Sequence, residues 1–155
     1  MANRINFSKF VSVDQISGED EKDTRLLCQM RDLAEEYLRS FEWCKTIKKG
    51  WFGWGVGGIA AVFLFQIVPA TPEVDDLLWV VVGDLPPAYL VVDEVPTPLD
   101  ALKTYVTLME DWIAAVRLGK PTEDCIPVNT PPTLENADAL ETRLSFLKEQ
   151  FLANH

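Results

Sequence analysis

The centre of the chain is almost free of charge. From Trp51 to Ala70 no residue carries a charge, and from Leu77 to Val92 only Asp84 does. A block of this kind is either a sheet buried on both faces or a membrane segment. That choice governs every later expectation about fold and role.

Within the block, Ile59–Val68, Leu77–Val82 and Ala88–Val92 read as strands, with Ile, Val, Leu and Phe on both alternating faces. The eight-residue link 69–76 is too short for a crossover helix, so the first two strands are expected to be antiparallel. Gly83-Asp84-Leu85-Pro86-Pro87 reads as a five-residue hairpin connection, with proline where no ladder donor is needed. The result is an antiparallel meander of three strands, or four if the Trp43–Trp54 region contributes one. A sheet with one wet face alternates apolar and polar residues, and these strands do not. Either helices cover both faces or a second subunit, as in a homodimer, covers one.

Helices flank the block. The acidic run Glu19–Asp23 suits a helix N-terminus, with Asp23 or Thr24 as cap. Leu26, Met30, Leu33, Tyr37 and Phe41 follow as one apolar stripe, which weakens near Trp43–Lys45 and ends at Lys48-Lys49-Gly50. A second helix begins at Thr97-Pro98-Leu99-Asp100, where Thr97 caps and Pro98 suits the first turn. Its stripe is Leu102, Tyr105, Val106, Met109, Trp112, Ile113 and Val116, and Gly119 with Pro121 stops it. After a proline-rich loop, the last helix starts near Thr133, with Ala137, Leu140, Leu144, Leu147 and Phe151 on one face. Phe7, Phe10 and Val11 are candidates to dock on the core. The expectation is one α+β domain over all 155 residues, in the order α-β-β-β-α-α.

The net charge of −10 disfavours nucleic acid and anionic membrane surfaces, because both reward Lys and Arg. A basic protein is the complementary partner. Cys28, Cys44 and Cys125 cannot all pair within one chain. If Cys28 and Cys44 share a helix they stand about 24 Å apart and cannot bridge. Three free thiols fit a reducing cytoplasm. Met1–Gln15 lacks the apolar run and cleavage site of a signal peptide.

Candidate sites are few. Trp51–Ala70 is long enough to span a bilayer, but Gly53, Gly55, Gly57, Gly58, Gln66 and Pro69 weaken it as a helix. Gly53, Gly55 and Gly58 match G-x-G-x-x-G, yet a charged helix precedes them and a strand follows, the reverse of the dinucleotide fingerprint. The aromatic loop Trp51-Phe52-Gly53-Trp54 offers anchors for a partner. His155 is the only histidine and no metal-ligand spacing occurs, so neither metal nor cofactor is expected. Asp75, Asp76, Asp84, Asp93 and Glu94 lie at strand ends, where two carboxylates sharing a cleft could split their pKa values. Asp84 near Tyr89 is the most suggestive of them. Cys44, beside Lys45 and Lys48, is better placed than Cys125 for a reactive thiol.

The runs Gly57–Phe65 and Leu78–Leu90 resemble a pattern found in a family of small, uncharacterised bacterial proteins; the resemblance spans mainly residues 40–95. It implies a bacterial origin and a soluble α+β domain, and it brings no catalytic motif. The leading expectation is therefore a cytoplasmic, acidic interaction module, immunity-like or accessory, without catalysis. The alternative is a small-ligand binder or carboxylate enzyme near the Trp51–Gly58 loop and the Gly83–Tyr89 hairpin. A single-span membrane anchor is the third.

Overall fold

The computed structural model describes residues 10–93 and 95–153; Phe7, Glu94 and His155 lie outside them, as does most of the segment weighed as a signal peptide. Strands β1 (Val11–Ser12), β2 (Cys44–Val56), β3 (Ala60–Pro69), β4 (Leu77–Gly83) and β5 (Leu85–Val91) form one antiparallel meander in chain order. Helix α1 (Glu21–Arg39) precedes β2, and α2 (Pro98–Arg117) and α3 (Leu134–Leu147) follow β5. The fold is α+β with five strands, the first of them the short leading strand β1, rather than three or four strands in the order α-β-β-β-α-α.

The unbroken hydrophobicity of β3 and β4 has a simple cause: helices lie on both faces. Ala61, Phe63, Phe65, Ile67, Leu78, Val80 and Val82 point one way, onto Leu27, Met30, Ala34 and Leu38 of α1. Their neighbours Ala60, Val62, Leu64, Trp79 and Val81 point the other way, onto Leu102, Tyr105, Met109 and Trp112 of α2 and Leu140 and Leu144 of α3. Each large side chain so buried contributes roughly 1.5–3 kcal/mol. The chain's own helices cover both faces, which removes the reason for invoking a second subunit. The polar tips of two buried aromatics are satisfied: Trp79 donates Nε1–H to Val95 O at 2.8 Å, and Tyr105 donates its hydroxyl to Pro86 O at 2.5 Å.

The uncharged stretch Trp51–Ala70 is strand, turn and strand, and no helix among the described residues is long and apolar enough to cross a membrane. Several boundaries differ from expectation. Helix α1 is capped by Asp20, whose Oδ1 accepts from Asp23 N at 2.8 Å, rather than by Asp23 or Thr24. It stops at Arg39, so Cys44 opens β2 and does not share a helix with Cys28. Its inward face is Leu27, Met30, Ala34 and Leu38, and Leu33 is 55% exposed. Strand β5 starts at Leu85, which leaves Asp84 alone between two strands. Pro86 and Pro87 sit inside this edge strand, where missing donors do no harm. By contrast, α2 and α3 begin as read: Thr97 Oγ1 accepts from Asp100 N at 3.1 Å and Thr133 Oγ1 from Asn136 N at 3.2 Å.

Candidate functional site

The β4–β5 turn carries Asp84, the carboxylate that the sequence singles out. Gly83 makes the turn with φ +151°, and Asp84 N–H donates to Ile59 O at 3.0 Å, which fastens it to the start of β3. Asp84 therefore projects outward, with its side chain 69% exposed and Oδ2 3.2 Å from Arg143 Nε of α3. Arg143 also donates from Nη1 to Ala139 O at 3.1 Å, one turn earlier on α3.

Three clefts surround this turn. One of about 350 Å³ has a floor of Trp112 and Leu140 and walls of Leu85, Pro86, Pro87, Val128, Asn129, Thr130, Ala139 and Asn136. A second, of about 290 Å³, lies across the Asp84–Arg143 pair and is lined by Gly58, Ile59, Leu85, Thr142, Phe146 and Leu147. The third, of about 370 Å³, is on the α1 side of β5, between Leu33, Glu36, Tyr37 and Ser40 and the strand residues Val82, Gly83, Leu85 and Pro87. These volumes are near the lower end for ligand sites. The lining of the first combines one anion, one cation, two amides and a hydroxyl over apolar walls. Such a surface can hold a polar segment by exchange of ion pairs and hydrogen bonds.

The structure separates the residues that the sequence grouped. Trp51, Phe52 and Trp54 stand in β2, not in a loop. Trp51 and Trp54 pack toward the α2–α3 core, with Trp54 edge-on to Phe151 at 5.0 Å, whereas Phe52 packs toward the α1 core with Phe63 at 5.8 Å. Tyr89 is not beside Asp84. It belongs to a half-buried ring cluster on the α1 side, 4.9 Å from Trp43, 5.4 Å from Phe41 and 6.4 Å from Tyr37. Burial, with Tyr89 nearby, pushes the Tyr37 hydroxyl pKa up, so it stays protonated. Asp75, Asp76 and Asp93 are exposed at the opposite end of β4 from Asp84.

Gly53 and Gly55 lie in β2 and Gly58 in the β2–β3 turn, with Gly57 N–H donating to Asp23 Oδ1 at 2.7 Å. No helix N-terminus follows them, so the glycine pattern makes no phosphate cradle. Cys44 is a small buried residue, and burial pushes its thiol pKa up despite the opposing charge of Arg39, which disfavours the reactive thiolate weighed for it. Among the described residues no group of His, Cys, Asp or Glu could hold a metal ion. Arg143 was missed by sequence reasoning, since a single Arg on the polar side of a helix carries no signal until the fold brings it to Asp84. Comparison with known proteins finds no matching family model, curated protein or solved structure.

Proposed function

We propose that this protein is a non-catalytic binding module that engages a basic protein through the clefts around the β4–β5 turn. The observation that carries the reading is the exposed Asp84 carboxylate, set between two clefts and paired, among the described residues, with the exposed Arg143, while a third cleft opens on the other side of β5. An incoming Lys or Arg can replace Arg143 at Asp84 with little change in the fold. Glu36 on the far rim adds a second negative charge. The surplus of 24 acidic over 14 basic residues steers a cationic partner toward the chain as a whole. An accessory or immunity-like role that masks a basic surface fits this chemistry, and three free thiols suit a reducing cytoplasm.

The test is capture from lysate of the native host by immobilised wild type and by Asp84→Lys, at low salt and at about 1 M salt, where charges are screened beyond about 3 Å. The expected result is a basic protein that wild type retains at low salt only and that Asp84→Lys does not retain. Recovery of the bait alone, or equal capture by the variant, overturns the proposal. A second reading, a small ligand in the cleft of about 350 Å³, draws on its Trp112 floor and amide walls. Thermal-shift screening of small polar metabolites, with Asn129→Ala as control, tests it.

A further inference from the structure

At the other edge of the sheet, β1 pairs with β2 at two positions only, Val11 with Phe52 and Ser12 with Trp51. The chain then leaves the sheet in a 3₁₀ turn, Val13–Gln15. This departure is built into the fold. Val13 is buried, Ser12 Oγ accepts from Asp14 N at 3.2 Å, and Arg31 of α1 donates from Nη1 to Val13 O at 3.1 Å. As a result, the outer edge of β2 from Gly50 back to Cys44 meets no strand among the described residues.

That edge is basic. Lys45, Lys48 and Lys49 are exposed and make no ion pair with any described residue, while Arg39 is matched only by Glu35 at 3.6 Å. Arg39, Ile47, Lys48, Lys49 and Trp51 line a cleft of about 470 Å³ beside the 3₁₀ turn. Three unpaired lysines on one strand are conspicuous in a chain of net charge −10. Lysines and register irregularities, here at Cys44/Thr46 and Ile47/Lys49, keep an edge from pairing with a copy of itself. The same lysines attract an edge of opposite charge.

We propose that this cleft receives an extended, carboxylate-bearing segment of another protein, which continues β1 along the edge and sets its carboxylates against Lys48, Lys49 and Arg39. Backbone pairing supplies affinity and the cations supply selection. Asp14 and Glu35 line the same cleft and limit how much negative charge it accepts; a phosphate backbone fits less well, because it has no ladder of N–H and C=O groups to pair with the open edge of β2.

The experiment is calorimetric titration of the whole protein with a synthetic peptide alternating Glu and Thr, its Lys/Thr counterpart, and a single-stranded oligonucleotide. The acidic peptide is expected to bind, with affinity lowered about tenfold or more in the double variant Lys48→Glu/Lys49→Glu. Circular dichroism of that variant checks that it is folded, and the milder Lys48→Gln/Lys49→Gln pair is expected to fall in between. N-methylation of alternate peptide bonds is expected to weaken binding further by removing ladder donors. Absence of binding by the acidic peptide, equal binding by the folded variant, no effect of N-methylation, or tighter binding of the oligonucleotide overturns the proposal.

Discussion

Arg143 of α3 closes on Asp84 at the β4–β5 turn, Nε 3.2 Å from Oδ2, and the pair stands between two clefts that both residues line. Both side chains face water, so the pair stabilises the fold by no more than about 1 kcal/mol. Urea denaturation of Asp84→Asn and Arg143→Gln is expected to show a change below that size. Their binding phenotypes are expected to oppose each other: Asp84→Asn weakens capture of a basic partner, and Arg143→Gln, which leaves Asp84 open, strengthens it.

Trp79 is the largest side chain wholly inside the core, and its indole N–H has one partner, Val95 O at 2.8 Å. Trp79→Phe removes ring volume and leaves that carbonyl unpaired, a combined cost of about 2–4 kcal/mol. Trp54→Phe, at a half-buried position against Phe151, is expected to cost clearly less in the same denaturant series.

The turn that presents Asp84 depends on Gly83. With φ +151°, an added Cβ there would run into the Ile59 carbonyl. Gly83→Ala is expected to cost more than about 2 kcal/mol and to disturb the site. Gly58→Ala, at φ +80° with its nearest side chain at an ordinary 3.7 Å, is expected to cost about 1 kcal/mol. Paired thermal melts separate steric clash from backbone strain alone.

Helices α2 and α3 are tied by Arg117, which donates to Glu141 Oε1 and Oε2 at 2.9 Å each and to Asp138 Oδ1 at 2.6 Å. Hydrogen bonding to Arg117, then its charge, holds the Glu141 carboxyl below the ordinary glutamate range. A pKa depressed in the folded state gives stability that is complete above the unfolded value, about 4.3, and lost as pH falls through the lower folded value. Wild type is therefore expected to lose more stability than Glu141→Gln between neutral pH and about pH 3, as read from denaturation midpoints.

The parts of this fold legible in the sequence are those where one period dominates. Strands β3 and β4 and helix α2 fall within a residue or two of their expected limits, α3 starts where expected beside Thr133, and Thr97 caps as expected. The sequence leaves the first half of β2 open between a helix tail and a fourth strand over Trp43–Trp54, and it is a strand. Its outer side is open, so it carries Lys45, Lys48 and Lys49, and three register irregularities break the alternation that would have marked a strand. The apolar stripe of α1 runs out of phase with its buried face because Leu26 is half-buried, Leu33 is exposed and Phe41 lies beyond the helix end at Arg39. Half of the candidate site was visible, in Asp84 and the prolines. The rest was not, because Arg143, Asn129 and Trp112 come together only through the return of α3 to the sheet.

Site-directed photo-crosslinking tests the binding seam most directly. A crosslinking residue is placed at Asn129, where the clefts on both sides of β5 meet, and separately at Asp75, at the other end of β4. The binding-module reading expects a basic protein joined from position 129 only, and lost at about 1 M salt. Equal crosslinking from both positions, or none from 129, would contradict it.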